Sequence, residues 1–347
     1  MLLGRRVTLA EGAGGKETWE AIHSLIVSKV REDLRKVGEG FGIDVMDDGA
    51  VIPVGGKYLI IASDSFTVKP IRFPGGDIGS LAAHGVINDV VMMGGDPFAF
   101  MDTVIVEEGM DYDELSDILN SLVKALESDE VALIGGDFKV MPKGSVDKIV
   151  ISGVGLGYAE RPIIDNELRP GDKVIVTAPI AEHGATILAS QIGLIEKVEG
   201  LRSDTKSLKS SVLPVIRKYG TWIHAARDPT RGGLAATLSE WASQTKLMIK
   251  VWRGDIPIRR EVADFLDAMG VDPLSLACEG VAVLAVRPDV ADEVVSELRK
   301  MGETQATIVG EVTQPPTPVL SGRVVAVTEV GGMTLIEPKS VNLPRIC

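Results

Sequence analysis

Glycine is the residue type that most constrains how this chain can fold, since 38 of its 347 residues are glycine. Seven of them are followed directly by a second glycine, at Gly14, Gly55, Gly75, Gly94, Gly135, Gly232 and Gly331. No short period links these pairs, which excludes collagen-like and solenoid repeats. Paired glycines mark tight turns or places where the backbone approaches a ligand. Because aromatic residues make up 4% of the chain, the core must be built from aliphatic side chains.

The chain is acidic, with 36 Lys and Arg against 49 Asp and Glu and a formal charge of −13. This balance argues against general nucleic-acid binding, but not against a nucleotide held by backbone amides and metal ions. The sequence has no apolar run of membrane-spanning length and no apolar signal core near its start. Its two cysteines, Cys278 and Cys347, lack zinc spacing and are too few for a disulfide scaffold. A cytoplasmic protein is therefore predicted.

Apolar periodicity predicts an α+β fold in both halves of the chain. In the first half, helices are predicted over 17–36, from an Asp77 cap to about Met93, and from Asp111, where Glu114 completes a capping box. Strands and hairpin turns lie between them. In the second half, strands are predicted to alternate with helices near 183–192, 205–219, 230–244, 257–269 and 289–301.

The charged, proline-containing segment 161–172 indicates a boundary between two domains. The predicted organisation is a glycine-rich loop and helix at 1–40, an N-terminal domain at 41–160, a C-terminal α+β domain at 161–337, and a flexible, exposed tail at 338–347.

Five aspartate segments lie beside glycines or at the ends of predicted elements, and they centre on Asp48, Asp64, Asp89, Asp137 and Asp228. Carboxylate oxygens are ligands that suit Mg²⁺ bound to substrate phosphates. The sequence contains neither a Walker loop nor a dinucleotide fingerprint. Taken alone, each aspartate is interpreted as a turn or helix-cap residue; the set of five together favours a metal–nucleotide site.

Other segments give weaker signals. The glycines at 12–15 precede a helix, where backbone amides either cradle phosphate or form an ordinary loop. The four histidines show no metal-ligand spacing, so a structural role is predicted for each, and Cys278 is predicted to be a buried apolar residue. Glu279 is a carboxylate directly before a buried strand, which indicates either a cap or a catalytic group.

Cys347 is predicted to be exposed on the extended tail, with little to pack against. From Pro338 an extended tail reaches about 30 Å, far enough to visit an active site and then a partner protein. The alternative is a cysteine that an exposed tail simply tolerates.

These segments resemble the HypE family of hydrogenase maturation factors, in the superfamily of aminoimidazole ribonucleotide (AIR) synthetase, selenophosphate synthetase and thiamine-monophosphate kinase. The resemblance is carried by EGAGGKE, MDDGAV, residues 62–95, IGGDFKV, DPTRGGLA, ACEG and the closing PRIC. It implies an AIR-synthase-like fold in which the N-terminal mixed sheet forms a homodimer and ATP binds in the cleft.

The resemblance also implies roles for single residues. The implied Mg²⁺ ligands are Asp48, Asp64, Asp89 and Asp228. The implied nucleotide-site residues are Gly12, Gly14, Gly15, Asp64, Thr67, Lys69, Asn88 and Asp137.

The implied reaction is the ATP-dependent dehydration of a carbamoyl group on Cys347 to a thiocyanate, with Glu279 and Lys139 suited to proton removal. A carbamoyltransferase, HypF, loads Cys347, and the cyano group passes to a HypC–HypD scaffold to become a cyanide ligand of the [NiFe] centre. Two alternatives stay open: an ATP-dependent phosphotransferase or synthetase acting on a small molecule, and a non-catalytic carrier whose Cys347 ferries a group made elsewhere.

Overall fold

The computed structural model describes residues 6–12, 14–328, 331–337 and 346–347. Two sheets organise the described chain: a five-stranded sheet in the first half and a seven-stranded sheet in the second. Both halves therefore combine helices with mainly antiparallel sheets, as the sequence predicts. Residues 338–345 of the predicted tail lie outside the described residues.

The five-stranded sheet has the order β1-β2-β7-β5-β6, and only its β5–β6 pair is parallel. Its strands are β1 (Ala50–Val54), β2 (Lys57–Phe66), β5 (Asp96–Glu107), β6 (Ala132–Met141) and β7 (Ile149–Ala159), and a small hairpin adds β3 (Arg72–Phe73) and β4 (Gly76–Asp77).

Three helices accompany this sheet: α1 (Lys16–Leu25), α2 (Ile78–Met92) and α3 (Tyr112–Ser128). The Asp77 side chain caps α2 and Ser80 completes a capping box, while Asp111 caps α3 by accepting from the amide of Glu114. The first predicted helix is too long, because α1 ends at Leu25 and short 3₁₀ turns follow to Leu34.

Alternate glycines on β7 allow α2 to lie close against the sheet. A Cβ at Gly155 would lie 2.7 Å from Val86, and one at Gly157 would lie 2.4 Å from Val90. Contacts that short do not occur between real side chains, so any larger residue here would push α2 away from β7. Part of the high glycine content thus serves helix–sheet packing.

The seven-stranded sheet has the order β14-β13-β10-β12-β8-β11-β9, and its β10–β13 pair is the parallel one. Its strands are β8 (Lys173–Val176), β9 (Ile223–Arg227), β10 (Met248–Trp252), β11 (Val283–Val286), β12 (Thr307–Thr313), β13 (Val324–Val327) and β14 (Met333–Ile336). Its helices are α4 (Glu182–Gln191), α5 (Leu213–Tyr219), α6 (Gly233–Thr245), α7 (Arg260–Met269) and α8 (Ala291–Lys300).

The two halves share one continuous apolar core. A single cluster of buried side chains runs from Phe66 and Ile87 of the first half to Leu213 and Val294 of the second. Within the described ranges, no helix combines the length and apolarity that crossing a membrane requires.

The predicted helix over 205–219 is wrong in its first half. Residues 201–208 are irregular, and helix α5 begins at Leu213. The physical reason is that Ser203, Asp204 and Ser207 bond backbone amides through their side chains, which competes with helix formation. This segment crosses from one half to the other, since the amide of Ser203 donates to the carbonyl of Pro74.

Candidate active site in the cleft between the two sheets

Three carboxylates converge where the two sheets meet. Asp48 lies just before β1, Asp89 is near the end of α2, and Asp228 directly follows β9. One oxygen from each lies within 4.8 Å of the others. Within the described residues, Asp48 Oδ2 and Asp228 Oδ2 are buried without a hydrogen-bond partner. We call these three residues the acidic triad.

The triad is electrostatically strained without a cation. Burial raises the pKa of Asp48 and of Asp89 well above the usual range, and repulsion from Asp228 adds to both. Burial also raises the pKa of Asp228 to about 7. Buried like charges are relieved either by protonation or by a cation, and oxygen ligands in this arrangement suit a hard divalent ion such as Mg²⁺.

Arg227, at the end of β9, supplies part of the compensation. Its buried guanidinium forms ion pairs with Asp48 at 3.2 Å, Asp165 at 2.8 Å, Glu240 and Asp47. Four carboxylates around one arginine leave the region anionic. Sequence reasoning did not single out Arg227, although it directly precedes Asp228.

A cavity of about 260 Å³ opens beside the triad, and its wall includes Gly14, Gly15, Asp48, Asp228 and Arg231. Both glycines have positive φ, 74° and 109°. A Cβ on Gly14 would lie 2.7 Å from the Arg231 backbone, so the glycine loop seats directly on the segment that follows Asp228. The amide of Gly14 donates to Thr18 Oγ1 at 3.1 Å, which fixes the loop at the start of α1.

Cys347 lies in the same cleft, and its residue is 5% exposed. Its main-chain oxygen accepts from the amide of Thr67 at 2.9 Å and from Thr67 Oγ1 at 3.2 Å. The preceding carbonyl, that of Ile346, contacts His183 Nε2 at 2.6 Å. The expectation of an exposed Cys347 with little to pack against is therefore wrong, because polar contacts to the main chain hold the residue in place.

The surroundings of the Cys347 thiol are charged. Burial raises its pKa; Arg231 opposes this shift, while Glu279, Asp64 and Asp228 add to it. Arg231 also lies 3.7 Å from Asp64 Oδ1. The docked thiol is therefore protonated at neutral pH and faces both a cation and a group of carboxylates.

Glu279 is 1% exposed, and its Oε1 has no hydrogen-bond partner among the described residues. Burial raises its pKa well above the usual range, and Asp228 adds to the shift. The backbone at this point is held by Asp204, whose Oδ2 accepts from the amides of Glu279 and Gly280, both at 3.1 Å. Sequence reasoning missed Asp204, which lies directly before the wrongly predicted helix and belongs to no motif singled out in the sequence.

Both halves of the chain match AIR synthase related proteins: residues 46–159 match the N-terminal domain and residues 169–322 the C-terminal domain. A putative hydrogenase expression/formation protein of Methanocaldococcus jannaschii is 37% identical over 352 residues, which cover 99% of this chain and 100% of the relative. Carbamoyl dehydratase HypE of Rhizobium leguminosarum bv. viciae is 34% identical, with 99% of this chain and 95% of the relative covered.

This chain belongs to the HypE family. A solved structure of hydrogenase maturation protein HypE in complex with ATP is 34% identical, with a TM-score of 0.81 over 99% of this chain and 100% of that one. A HypE chain solved in a HypE–HypF complex is 30% identical, with a TM-score of 0.81 over 91% of this chain and 99% of that one. These matches confirm the AIR-synthase-like α+β fold predicted from the sequence.

The fold brings many of the residues implied by the HypE resemblance into one cleft, on or beside the triad: Gly14, Gly15, Asp48, Asp64, Thr67, Asp89, Asp228, Glu279 and Cys347. Gly12 lies at the end of a 3₁₀ turn before the loop. Asn88 makes its contacts within the protein: its Nδ2 donates to the carbonyl of Lys206 at 3.0 Å, and its Oδ1 accepts from the amide of Leu208. Lys69 pairs with Asp147 at the surface, at 2.6 Å.

Asp137 and Lys139 lie apart from the cleft within one chain. Both are on the exposed edge strand β6, where they pair with each other. Asp64 is in register with Gly153, then Asp102, then Gly136, so three strand spacings separate β2 from β6. That distance is about 14 Å, too far for Lys139 to contact Cys347 of the same chain.

Proposed function

We propose that this protein removes the elements of water from an S-carbamoyl group on Cys347, using ATP, and thereby forms a thiocyanate. The observation that carries the proposal is the docking of Cys347, 5% exposed, in the cleft that also holds Glu279 and the acidic triad. A cysteine that only ferried a group made elsewhere would not need to be buried among these side chains.

The chemistry balances as follows. The carbamoyl oxygen attacks the γ-phosphorus of ATP, ADP leaves, and the loss of an N–H proton gives an S-linked O-phosphoimidate. Its C–O bond then breaks, phosphate departs with the electron pair, and the remaining N–H proton goes to a base as the C≡N bond forms. The products are thiocyanate, ADP and phosphate, and the tail has lost the mass of one water.

In the proposed reaction, Glu279 would accept a proton. Burial raises its pKa, which makes its carboxylate a stronger base than an exposed one, and its Oε1 is free of hydrogen bonds within the described chain. Arg231 is within electrostatic range of Cys347 and Asp64, where a cation offsets charge that develops on the transferred phosphoryl group.

The residues of the triad fit Mg²⁺, because three carboxylates with two unpartnered buried oxygens need a cation. Asp48, Asp89 and Asp228 would hold the ion, and Asp64 would lie at its edge. Bound Mg²⁺ would neutralise the phosphates of ATP and align the γ-phosphate for in-line transfer. The Gly14–Gly15 loop would cover the phosphates, as its place on the cavity wall suggests.

The proposed partners follow from the family. A HypF-type carbamoyltransferase would load Cys347, as the HypE–HypF complex of a relative supports, and a HypC–HypD scaffold would receive the cyano group. We also propose a homodimer through β6, since Leu133, Ile134, Phe138, Val140 and Met141 are all exposed on this edge strand. Lys139 is too far from the cleft of its own chain. In that dimer, Lys139 of the partner subunit would reach the cleft instead.

Intact-protein and peptide mass spectrometry tests the proposal. The protein is loaded by the carbamoyltransferase with carbamoyl phosphate, and ATP with Mg²⁺ or a non-hydrolysable analogue is then added. We expect the Cys347 peptide to lose one water with ATP and Mg²⁺ but not with the analogue. Glu279→Ala should block this loss without blocking the loading. A loaded tail that never dehydrates would instead indicate a carrier, and a tail that is never loaded would indicate a small-molecule substrate.

A further inference from the structure

A chain of hydrogen bonds ends on the main chain of the docked tail. The amide of Thr205 donates to Ser203 Oγ at 3.1 Å, Ser203 Oγ contacts His183 Nδ1 at 2.7 Å, and His183 Nε2 contacts the carbonyl of Ile346 at 2.6 Å. These residues come from three segments distant in sequence. Neither His183 nor Ser203 was assigned a functional role from motif or spacing.

The carbonyl end of this chain and the charge state of His183 fix the direction of its bonds. A carbonyl only accepts, so Nε2–H must donate to Ile346. Burial lowers the pKa of His183 to about 4, so the ring is neutral at pH 7. With its proton on Nε2, the neutral ring leaves Nδ1 as an acceptor for the Ser203 hydroxyl.

His183 is also rigidly held. It is 0% exposed, and the ring of Phe73 packs against it edge-on with centroids 5.3 Å apart. Its amide donates to Asp204 Oδ1 at 3.0 Å, while the other oxygen of Asp204 accepts from the amides of Glu279 and Gly280. The imidazole that contacts the tail and the backbone that carries Glu279 thus share one anchor.

The tail is held by its backbone from both sides of the cleft. His183 of the second half binds the carbonyl of Ile346, and Thr67 of the first half binds that of Cys347. Two consecutive carbonyls fixed in this way leave the Cys347 side chain little freedom of direction. Among the described residues, these contacts are made to main-chain oxygens of the tail, so they do not depend on the sulfur atom.

We propose that His183, with Ser203 behind it, is a positioning residue that docks the tail through the Ile346 carbonyl and so sets the Cys347 sulfur against Glu279. The inference rests on the proposed function only for what the docked sulfur then undergoes. The docking itself is testable without ATP or carbamoyl phosphate.

The docking test measures the rate at which iodoacetamide alkylates Cys347 in the full-length protein, with each cysteine read separately by peptide mass spectrometry. Cys278 is 0% exposed and serves as an internal control for folding. His183→Phe keeps an aromatic ring but loses the donor, so we expect Cys347 to react about tenfold faster, the effect of losing one hydrogen bond of ordinary strength. His183→Gln retains an N–H donor and should restore most of the protection.

His23→Phe is the matched control, since His23 is exposed on α1 and stacks on Trp19, apart from the tail. This variant should alkylate at the wild-type rate. After loading, His183→Phe should slow the loss of water about tenfold while the rate of loading does not fall, because loading needs an undocked tail.

Each outcome separates the two proposals. If the wild-type protein loads and never dehydrates, the proposed function fails, while the alkylation rates still decide whether His183 docks the tail. Equal alkylation and dehydration in wild type and His183→Phe would overturn the docking role. Alkylation of Cys278 in His183→Phe would show that this variant is unfolded. In that case Ser203→Ala is the deciding variant, and we expect it to speed the alkylation of Cys347 about threefold. An unchanged rate in Ser203→Ala would overturn the inference.

Discussion

At the scale of single residues, the cleft is a concentration of buried acids that the sequence partly predicts. Asp48, Asp89 and Asp228 stand at the ends of elements, and the fold brings them together because those ends meet between the two sheets. Residues that act through the backbone were not predictable. His183 and Asp204 bond main-chain groups far away in sequence, and such contacts leave no periodic pattern.

Asp228→Asn should separate stability from activity. Because burial raises the pKa of Asp228 to about 7, its ionised form is unfavourable in the metal-free protein. We expect the variant to be more stable by about 1–3 kcal/mol at pH 7.5 in EDTA, measured by urea unfolding, and to lose dehydration. Asp267→Asn, on the exposed side of α7, should change neither quantity. A destabilised Asp228→Asn protein would contradict this interpretation.

The tautomer of His183 is directly measurable. Nitrogen NMR of the histidines should show His183 protonated at Nε2 at pH 7 and titrating near 4, below its ordinary 6.5. Between these values the unfolded chain binds a proton that the folded chain does not. Stability from this group is therefore complete above pH 6.5 and falls as the pH drops toward 4. A ring that titrates near 6.5 would show that it is not buried against the tail.

At the scale of elements, most helices and strands of the described chain follow from apolar periodicity, and one of the exceptions is informative. The pattern over 205–219 indicates a helix, yet residues 201–208 are irregular because Ser and Asp side chains bind backbone amides there. This segment carries the anchor for both Glu279 and His183. Asp204 was therefore missed in a segment where hydrogen bonds from polar side chains to the backbone outweigh helix propensity.

Asp204→Asn tests the importance of that anchor. Asparagine keeps one acceptor oxygen and replaces the other with an –NH2 donor, so it cannot accept from the amide of His183 and from those of Glu279 and Gly280 together. We expect unfolding free energy to fall by about 2–4 kcal/mol, since bonds to an ionised group are lost and donors are left buried. The rate of dehydration should fall by a larger factor than the affinity for ATP, which is measured by calorimetry. Asp255→Asn, in the loop after β10, is the control for a lost surface charge.

At the scale of the whole molecule, the site proposed for one chain would lack Lys139. The apolar pattern VALIGGDFKV is typical of a buried strand, but every residue of β6 is exposed, and Lys139 lies three strands away from Asp64. The sequence cannot show which surface is covered by another chain, because a strand buried by a subunit and one buried by its own domain have the same pattern.

Mixed dimers test whether Lys139 acts across the interface. Glu279→Ala and Lys139→Ala should each be inactive alone, while a mixture that exchanges subunits should regain about a quarter of the wild-type rate, because half of the dimers hold one intact site. Val140→Lys should give monomers by sedimentation and no complementation. An inactive mixture of exchanged dimers would contradict the action of Lys139 across the interface.

The hydrogen bonds of Thr67 and His183 to consecutive main-chain oxygens of the tail also have a consequence for the kinetics of the proposed dehydration. A group carried on a tethered segment meets its site at an effective concentration in the millimolar range, whatever the amount of protein. Dehydration would therefore be first order and would not saturate with any free carbamoyl substrate. Its rate would be set by how often the tail enters the cleft, and the yield would be limited to one cyano group for each loading.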